Sequence, residues 1–411
     1  MSTRYGPLVL IEPHAHLGGG HHQRTLTALA AARPGAVAIT PQGIADGLGP
    51  LLRAGSCFAA GPVGPAAKAL LAAARAAERV STAGKRAFRS RRWPLPLRRL
   101  PHQVTLIARC LTEAGCLRTA RRLAPQPAAV VILSASEALH GMAALLGGTP
   151  HLRFIHELVT TEDSPVRLLG RLARRSEKHV VALYPTTAVR DRLSPVFPHL
   201  PGRVRAFAVD DGRPLTAAER DGARAAFTIP ASATAVCLVG GWWPYKDIAT
   251  IDAALARLTK PLHVLVCGTP LDDAVLARWH RMPRVRVHTV PGPVGEDVLR
   301  LVYAAADAAV VARRPGTGKE SGLVMDAVRL DVPLIVSDHD PDLTERLVGQ
   351  PWAQVFPAGD PGALAAALDA LADGPPERPG PKAPTALDML PAAEQAAYLI
   401  DTYTDLIKEY R

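Results

Sequence analysis

The sequence predicts an α/β protein of two Rossmann-like domains that face a cleft. Short, continuous apolar runs alternate with longer segments of helical periodicity, which is the pattern of buried parallel strands joined by helices. The alternation pauses near residue 212 and begins again with an apolar run at 235–239, so two sets of βα units are indicated. A chain of 411 residues is long enough for two such domains, each with its own core.

The first half opens with a predicted strand and a glycine-rich loop. The apolar run Leu8 to Ile11 is followed by three consecutive glycines, 18–20, and then by an alanine-rich helical segment. Consecutive glycines differ from the spaced dinucleotide fingerprint, so no NAD site is predicted. One interpretation of the loop is a strand-to-helix turn that requires positive φ.

A histidine follows a later strand of the same half. Apolar runs at 128–134 and 151–155 predict two strands, and His156 stands directly after the second. Open α/β sheets bind ligands at the carboxyl ends of their strands, so His156 is a candidate ligand-contacting residue. The alternative is a structural histidine that is satisfied by its neighbours.

All of the excess positive charge lies in one segment. The net charge is +11, and residues 75–124 hold 13 Lys or Arg against Glu78 and Glu113, so this segment accounts for all of it. Its centre, residues 84–101, places Trp93 among arginines, and its prolines discourage a continuous helix. Three interpretations stay open: a patch for an anionic membrane surface, a wall for an anionic acceptor, or a solvated surface. Helix-turn-helix, RRM and zinc patterns are missing, so nucleic acid is not an expected partner.

The composition indicates a soluble, cytoplasmic protein. Hydrophobic residues make up 48% of the chain, without an apolar run long enough to span a membrane. The first apolar run is followed at once by Glu12 and two histidines, which favours a strand over a signal peptide. Cysteines without metal-binding spacing suit a reducing compartment. They are Cys57, Cys110, Cys116, Cys237 and Cys267.

The second half begins with a loop suited to phosphate. After the run at 235–239, Gly240 and Gly241 lead to Lys246. Glycines allow backbone N–H groups to approach a phosphate closely. Lys246 stands at a predicted helix start, where its charge opposes the helix dipole. This local misfit favours a functional lysine over a surface one.

The strongest functional pattern runs from residue 312 to residue 338. A basic, glycine-broken loop with Arg313 and Lys319 leads through Ser321 and Gly322 into a short segment of helical periodicity. The first N–H groups of a helix lack intrahelical partners, and the helix dipole favours a negative charge there. The pattern therefore predicts a phosphate site.

This stretch resembles the donor-binding signature of retaining glycosyltransferases of the GT-B fold, the nucleotide-sugar-dependent group often called family 4. That signature consists of an acidic residue, a glycine, a short apolar helix with a second acidic residue, and a proline before a strand. Gly322, Asp326 and Pro333 keep that order. Two departures are visible: Gly241 replaces the arginine of the preceding loop, and Glu320 stands closer to Asp326 than the first acid of the family does.

The resemblance implies transfer of a glycosyl group from a nucleoside-diphosphate sugar with retention of configuration. It assigns Lys246 to the pyrophosphate, Asp326 to the ribose and Glu320 to the hexose of the donor. It also makes His156 a contact of the sugar or the acceptor. No metal or other cofactor is implied, because the nucleoside-diphosphate sugar is a co-substrate. Residues 338–340 have the form of a metal-type DxD, but two acids in a loop are a weak signal.

The resemblance also extends to three further segments. Arg313, Arg314 or Lys319 is expected to replace the missing loop arginine. The loop at 289–294 would hold the nucleobase. The glycines at 18–20 would face the donor phosphates, an interpretation that stands beside the positive-φ turn.

The predicted site combines both halves of the sequence. Its catalytic residues are His156, Glu320 and Lys246. Its donor-binding residues are Gly19, Gly20, Gly240, Gly241, Lys246, Val294, Arg313, Lys319, Ser321, Gly322, Leu323 and Asp326. The predicted domains are an acceptor-side domain, a nucleotide-sugar domain and a C-terminal helix that packs on the first domain: 1–211, 212–385 and 386–411.

The partners beyond the donor stay open at this point. The acceptor is unidentified, with an anionic one among the options, and residues 84–101 are the candidate for peripheral contact with the inner face of the membrane. Two other functions also fit the sequence. They are a nucleotide-sugar epimerase on the same fold and a non-catalytic nucleotide-sugar-binding protein.

Overall fold

The chain folds into two compact units. The computed structural model describes residues 6–16, 21–44, 58–88, 94–156, 171–292, 294–318 and 320–409. Unit 1 comprises Met1–Leu17, His22–Phe207 and Ala392–Arg411, and unit 2 comprises Gly18–His21 and Ala208–Pro391. The main crossings between the units thus lie after Phe207 and after Pro391, whereas the sequence places them after residues 211 and 385.

Unit 1 contains a parallel sheet of seven described strands. Strands β1 to β7 are Leu8–Ile11, Val37–Ile39, Phe58–Ala60, Ala129–Ile132, His151–Phe154, Val180–Tyr184 and Gly202–Val204. Their order across the sheet is β3-β2-β1-β4-β5-β6-β7. The order reverses between β1 and β4, and ligands bind at such a reversal in open α/β sheets.

The described helices before the first crossing cover this sheet and form a long antiparallel pair. Helices α1 to α5 are His21–Ala32, Pro65–Ala87, Leu95–Leu123, His140–Gly147 and Thr187–Leu193, and a 3-10 helix spans Arg174–His179. The basic segment forms most of the pair α2 and α3. Pro94 and Pro96 stand at the start of α3, where a missing N–H has no cost. Pro101 lies inside α3 without ending it, and its carbonyl accepts a hydrogen bond from Ser81 Oγ of α2 at 2.7 Å.

Unit 2 contains a second parallel sheet, with six described strands. The short strands β8 and β15, Val209–Asp210 and Leu390–Pro391, pair with each other. Strands β9 to β14 are Ala235–Val239, Leu262–Gly268, Val285–Pro291, Ala308–Val311, Leu334–Ser337 and Ala353–Phe356. The order is β11-β10-β9-β12-β13-β14, so this sheet reverses between β9 and β12.

Helices lie against both faces of this second sheet. Helices α6 to α13 are Ala217–Ala226, Ile248–Leu255, Asp273–Trp279, Glu296–Ala305, Gly322–Arg329, Pro341–Leu347, Pro361–Ala370 and Ala383–Ala386. Several begin at a side-chain oxygen that accepts a first-turn N–H, as the sequence favours. Two apolar clusters enclose the strands, which explains why these strands are continuous apolar runs.

The last helix returns to unit 1. Helix α14, Ala392–Lys408, packs against β4 and β5. Gln395 Nε2 donates to the carbonyl of Ala206 at 3.1 Å, and its Oε1 accepts from Arg205 Nε at 2.8 Å. Leu399 and Tyr403 lie on the buried face of the helix. Unit 1 is therefore built from separated parts of the chain.

Two further features of the described residues concern the helices and the cysteines. No helix within the described ranges is long and apolar enough to cross a membrane. The cysteines of the described ranges are free and buried, as packing residues are: Cys110, Cys116, Cys237 and Cys267. Cys57 lies outside the described residues.

Candidate functional site

The first candidate site lies at the strand reversal of unit 2. Lys246 follows β9 and Arg313 follows β12, and the two residues form an antiparallel β-bridge. A hydrogen bond from the backbone N–H of Asp247 to the carbonyl of Ala312, 3.1 Å long, fastens the same two loops. Two cations that are distant in the sequence are thus held side by side where α/β sheets bind ligands.

The side chain of Lys246 is buried. Its Nζ donates to the carbonyls of Val239 at 2.5 Å and Gly240 at 2.8 Å. Apolar groups, including Leu323, surround a cavity of about 20 Å³ beside it. Burial and, secondly, the charge of Arg313 lower the pKa of Lys246 to about 7. The lysine therefore carries a partial charge at neutral pH, and an anion nearby would restore the full charge.

Arg313 is fixed between a helix start and a strand end. The residue is buried, and its Nη2 donates to Ser321 Oγ at 2.9 Å. Its backbone N–H donates to Ser337 Oγ at 2.9 Å. The guanidinium also lies 5.4 Å from the ring centroid of Tyr245, a cation–π distance. Burial lowers the pKa of Arg313, but a guanidinium stays charged at neutral pH.

The start of α10 completes a setting for an anion. Ser321 is the N-cap, and its Oγ accepts the backbone N–H of Val324 at 3.4 Å. Gly322 and Leu323 stand in the first turn, where backbone N–H groups lack intrahelical partners. The positive end of the helix dipole thus adds to the charges of Lys246 and Arg313.

Gly240 and Gly241 are required by the backbone. Gly240 has φ of 80°, which favours glycine. A Cβ at Gly241 would lie 2.0 Å from the carbonyl oxygen of Thr269. No side chain fits there without a shift of the backbone, so the family's arginine has no place in this loop.

Of the three candidates for a replacement cation, only Arg313 lies buried beside Lys246 within the described residues. Arg314 is exposed. Lys319 lies outside the described residues, as do Gly19 and Gly20 and the rest of the first glycine loop. The contacts of Arg313 therefore single it out as the second cation.

The two acids of the signature are both largely buried. Glu320 Oε1 accepts the backbone N–H of Ala208 at 3.4 Å. Asp326 Oδ1 lies 3.4 Å from Arg329 Nε, one helical turn away. Glu320 directly precedes the N-cap of α10, whereas Asp326 faces an ion-pair cluster within unit 2.

Arg329 is the centre of that cluster and was missed by sequence reasoning. Besides Asp326, it pairs with Glu296 at 2.6 Å and Asp211 at 3.2 Å. Burial opposes its charge, yet the three carboxylates, Asp326 foremost, raise its pKa. Its position three residues after Asp326 on one helix was the available signal. The cluster fixes the orientation of Asp326.

The segment expected to hold the nucleobase is partly a strand. Parallel pairing of β10 with β11 continues to the pair Gly268 and Pro291, so Thr289 belongs to the sheet and not to a loop. The sequence prediction of a loop from Thr289 is wrong, because the pairing with β10 extends the strand past His288. Val294 is half-buried and packs against the core of unit 2.

The DxD-like acids bond to nearby backbone. Asp338 Oδ1 accepts the N–H of Ala358 at 2.6 Å, and Asp340 caps α11 by accepting the N–H of Asp342 at 3.0 Å. Among the residues that the structure describes, no group of three or more His, Cys, Asp or Glu could hold a metal ion.

The second candidate site is a cavity of about 170 Å³ in unit 1, at the reversal between β1 and β4. His156 lines it, with Nε2 2.8 Å from the carbonyl of Leu133. The His156 ring meets the rings of His22 and Phe207 edge-on, at centroid distances of 4.6 and 4.4 Å. These contacts orient His156 at the end of β5.

A hydrogen-bonded group that sequence reasoning missed lies beside His156. Ser134 Oγ donates to Glu12 Oε2 at 2.6 Å and lies 2.9 Å from His22 Nδ1. Burial raises the pKa of Glu12 to about 7, although hydrogen bonds from Ser134 and the His14 N–H lower it. Glu12 and Ser134 both follow strand ends closely, which was the signal available in the sequence.

Comparisons with known proteins agree with this architecture. Residues 233–373 match the family model described as glycosyl transferases group 1. Sucrose-phosphate synthase from Thermosynechococcus elongatus is 16% identical, with a TM-score of 0.61 over 98% of this chain and 100% of that one. The complex of HepE from Anabaena with UDP-glucose is 13% identical, with a TM-score of 0.58 over 99% of each chain. A glycosyltransferase from Rickettsia africae is 12% identical, with a TM-score of 0.60 over 99% of this chain and 100% of that one. A comparison with curated protein sequences gave no match.

The chain has the GT-B fold, with two parallel-sheet units that match those of glycosyltransferases. Its second unit carries a glycosyl transferase group 1 domain, so the chain is a glycosyltransferase. The predicted GT-B fold and the resemblance to glycosyltransferases are confirmed.

Proposed function

We propose that the chain transfers a glycosyl group from a nucleoside-diphosphate sugar to an acceptor with retention of the anomeric configuration. The observation that carries the proposal is the bridge between Lys246 and Arg313 at the start of α10, inside the matched domain. Two adjoining cations and a helix N-terminus suit the two charged phosphates of a pyrophosphate.

In this proposal, stabilisation of the leaving group contributes most to lowering the activation barrier. Negative charge develops on the pyrophosphate as the glycosidic bond breaks, and Lys246, Arg313 and the first N–H groups of α10 meet it. The charge of Lys246 grows as the negative charge grows, because its pKa lies close to neutral. The proposed chemistry places the developing charge on protein cations and requires no resident cofactor.

The acids and the histidine hold the sugar and the nucleoside in the proposal. Asp326 binds the ribose hydroxyls, Glu320 the donor hexose, and His156 the sugar or the acceptor.

Glu320→Gln should then lower turnover far more than nucleotide affinity, whereas Asp326→Asn should weaken the binding of the nucleotide itself. Kinetics with saturating donor and calorimetry with the free nucleotide separate the two effects. The opposite pattern would show that the two acids have exchanged roles.

The ligand of one similar structure supports a nucleotide-sugar donor and indicates the first compound to test. HepE is described in complex with UDP-glucose. A thermal-shift screen should therefore compare UDP-, GDP- and dTDP-sugars, followed by product analysis of any donor that binds. NMR of the anomeric proton in the product checks retention.

The same assay separates the alternatives. An epimerase converts the sugar of the donor without an acceptor, and a non-catalytic binding protein shifts the melting temperature without turnover. Glycosyl transfer or slow donor hydrolysis supports the proposal. Epimerised donor, or binding with no turnover for any acceptor offered, contradicts it.

We also propose a peripheral membrane contact at the tip of the α2–α3 pair, the exposed residues Lys85, Arg86, Leu97, Arg98 and Leu100. The apolar side chains are 37% and 45% exposed, which is unusual beside so many cations. The connection between the helices, residues 89–93, lies outside the described residues. Cations attract anionic headgroups while leucines enter the interface, so this combination favours an anionic lipid surface.

A further inference from the structure

We propose that the cavity of unit 1 is the acceptor subsite and that it takes an uncharged polyhydroxyl unit, a sugar that lacks phosphate and carboxylate groups. The proposal rests on the proposed glycosyl transfer and narrows the acceptor that this function leaves open. It replaces the anionic acceptor considered from the sequence.

The charges around the cavity disfavour an anion. Three carboxylates line it, those of Glu78, Glu113 and Glu137. Arg109 is the only described lining residue with a permanent positive charge. Its side chain is 43% exposed, and its Nη1 lies 3.8 Å from Glu137 Oε2. A phosphate in this cavity would therefore meet more negative than positive charge. The charge of Arg109, the one described cation of the lining, is already offset by the Glu137 carboxylate.

Glu113 is part of a rigid wall rather than a free charge. Its Oε2 accepts from the buried Arg153 Nη2 at 2.8 Å, and its Oε1 accepts the backbone N–H of Ser136 at 2.6 Å. The carboxylate and the guanidinium neutralise each other inside the protein. This pair fixes the strand ends at the cavity and adds no net attraction for an anion.

The remaining lining groups both donate and accept hydrogen bonds, as hydroxyl groups require. Burial and, secondly, the charge of Arg109 lower the pKa of His14 to about 4, so this imidazole is neutral. His156 Nε2 lies 2.8 Å from the Leu133 carbonyl, so this nitrogen carries a proton and donates it there. Ser134 bonds His22 Nδ1 in the same region. A neutral imidazole, a hydroxyl and carboxylates suit a sugar, whereas an anion needs donors alone.

The excess cations of the basic segment do not converge on this cavity. Arg118 Nε donates to the carbonyl of Leu146 at 2.6 Å, and the Arg122 guanidinium lies against Gly64. Lys85 and Arg98 are exposed at the tip of the helix pair. Among the described cations of this segment, Arg109 alone lines the cavity. The volume of about 170 Å³ is below the range of drug-sized pockets, so the cavity suits a single ring.

Ligand-observed NMR on the whole chain tests the inference without a donor. The probes are glucose, galactose and mannose, each paired with its 6-phosphate. At least one neutral sugar should bind, with an affinity at least about tenfold higher than that of its phosphate. Glu137→Gln and Ser134→Ala should weaken that binding by about tenfold, because each removes an acceptor or donor from the wall. The exposed Glu394→Gln, on α14, is the matched control and should bind as the wild type does.

Several outcomes overturn the proposal: no neutral sugar binds, a phosphate binds better than its parent sugar, or the cavity variants bind normally. Melting temperatures of all variants establish that they are folded. Donor hydrolysis with UDP-sugars is measured separately. Sugar binding at the cavity without any donor turnover refutes the proposed function but keeps the sugar site. Donor turnover with only sugar phosphates as acceptors refutes the inference but keeps the function.

Discussion

At the scale of single residues, the main feature is a lysine whose charge depends on its surroundings. Lys246 is buried and lies beside Arg313, so without a ligand its pKa is about 7. A pyrophosphate would supply the negative charge that the site lacks and raise that pKa. Binding, protonation and catalysis are thereby linked through one side chain.

Lys246→Ala should lower kcat at saturating donor by about one to three orders of magnitude, because a buried charge contact to the pyrophosphate strengthens in the transition state. Lys260→Ala is the matched control, since Lys260 pairs with Asp373 at the surface of the same unit. Steady-state kinetics at saturating donor measure the effect, and thermal unfolding shows whether the variant is folded. An unchanged kcat in folded Lys246→Ala removes the lysine from the mechanism.

The Kd of UDP-glucose should rise with pH above 7. In the free protein Lys246 has a pKa of about 7, and in the complex its pKa is higher, so binding takes up a proton. Raising the pH therefore weakens binding. Affinity should be nearly constant below pH 6 and fall by up to about tenfold per pH unit above 7. The measurement uses UDP-glucose and not UDP as the ligand. The esterified pyrophosphate of UDP-glucose does not titrate in this range, whereas the terminal phosphate of UDP has a pKa near 6.

Lys246→Arg supplies the control, because a guanidinium keeps its charge throughout this range. Its Kd, measured by calorimetry between pH 6 and 9, should be nearly independent of pH. A wild-type Kd that is equally flat would show that Lys246 does not meet the pyrophosphate.

The sequence predicted the residues that stand in recognisable local patterns and missed those defined by tertiary contacts. Lys246 and Arg313 were found because each lies in a glycine-containing loop at a strand end. The β-bridge that joins them is a long-range contact, which no local pattern displays. Arg329 and Glu12 were missed for the same reason: their importance comes from partners distant in the sequence, Asp211 and Ser134.

At the scale of elements, the loop after β9 is limited by its neighbour. Gly241 packs against the backbone at Thr269, so this loop cannot carry the arginine found in the family. In the proposed site, the second cation is Arg313 in the loop after β12, which the bridge holds against the loop after β9. The two departures from the family pattern are thus connected: a close backbone contact excludes one arginine, and the adjoining strand supplies another.

Gly241→Ala should destabilise the protein, by about 1–3 kcal/mol, since even a methyl group would overlap the Thr269 carbonyl. Gly222→Ala is the contrasting variant: Gly222 lies within α6 with open space around its Cβ position, so alanine should be neutral or stabilising by up to about 1 kcal/mol. Urea unfolding of both variants measures the difference in the free energy of unfolding. Equal stabilities would mean that the loop shifts freely.

At the scale of the whole molecule, the parallel sheets were the most predictable feature. The expected runs at 8–11 and 235–239 are β1 and β9, because strands buried on both faces form uninterrupted apolar runs. β3 was missed since its three residues are too few for a pattern. The short helix Ala383–Ala386 was missed within a proline-rich stretch.

The chain should sediment with vesicles that contain anionic lipid and stay in solution with neutral ones. Each cation near an anionic surface contributes about 1 kcal/mol, so the tip of the α2–α3 pair can hold the protein at low salt. Changing Lys85, Arg86 and Arg98 to Gln together should abolish sedimentation, and 1 M salt should weaken that of the wild type. Changing Arg192, Arg281 and Arg284 to Gln removes the same charge from other exposed positions and should have little effect. Equal loss in both triple variants would indicate attraction by net charge alone.

The return of α14 to unit 1 also determines the order in which the chain can fold during synthesis. Residues 208–391 of unit 2 are consecutive and leave the ribosome before α14 exists, so most of this unit can complete its core first. Unit 1 is begun earlier but finished later, since the apolar face that Leu399 and Tyr403 cover stays open until α14 is made. The strands of unit 1 are therefore made before those of unit 2, yet they stay exposed until after unit 2 has been synthesised.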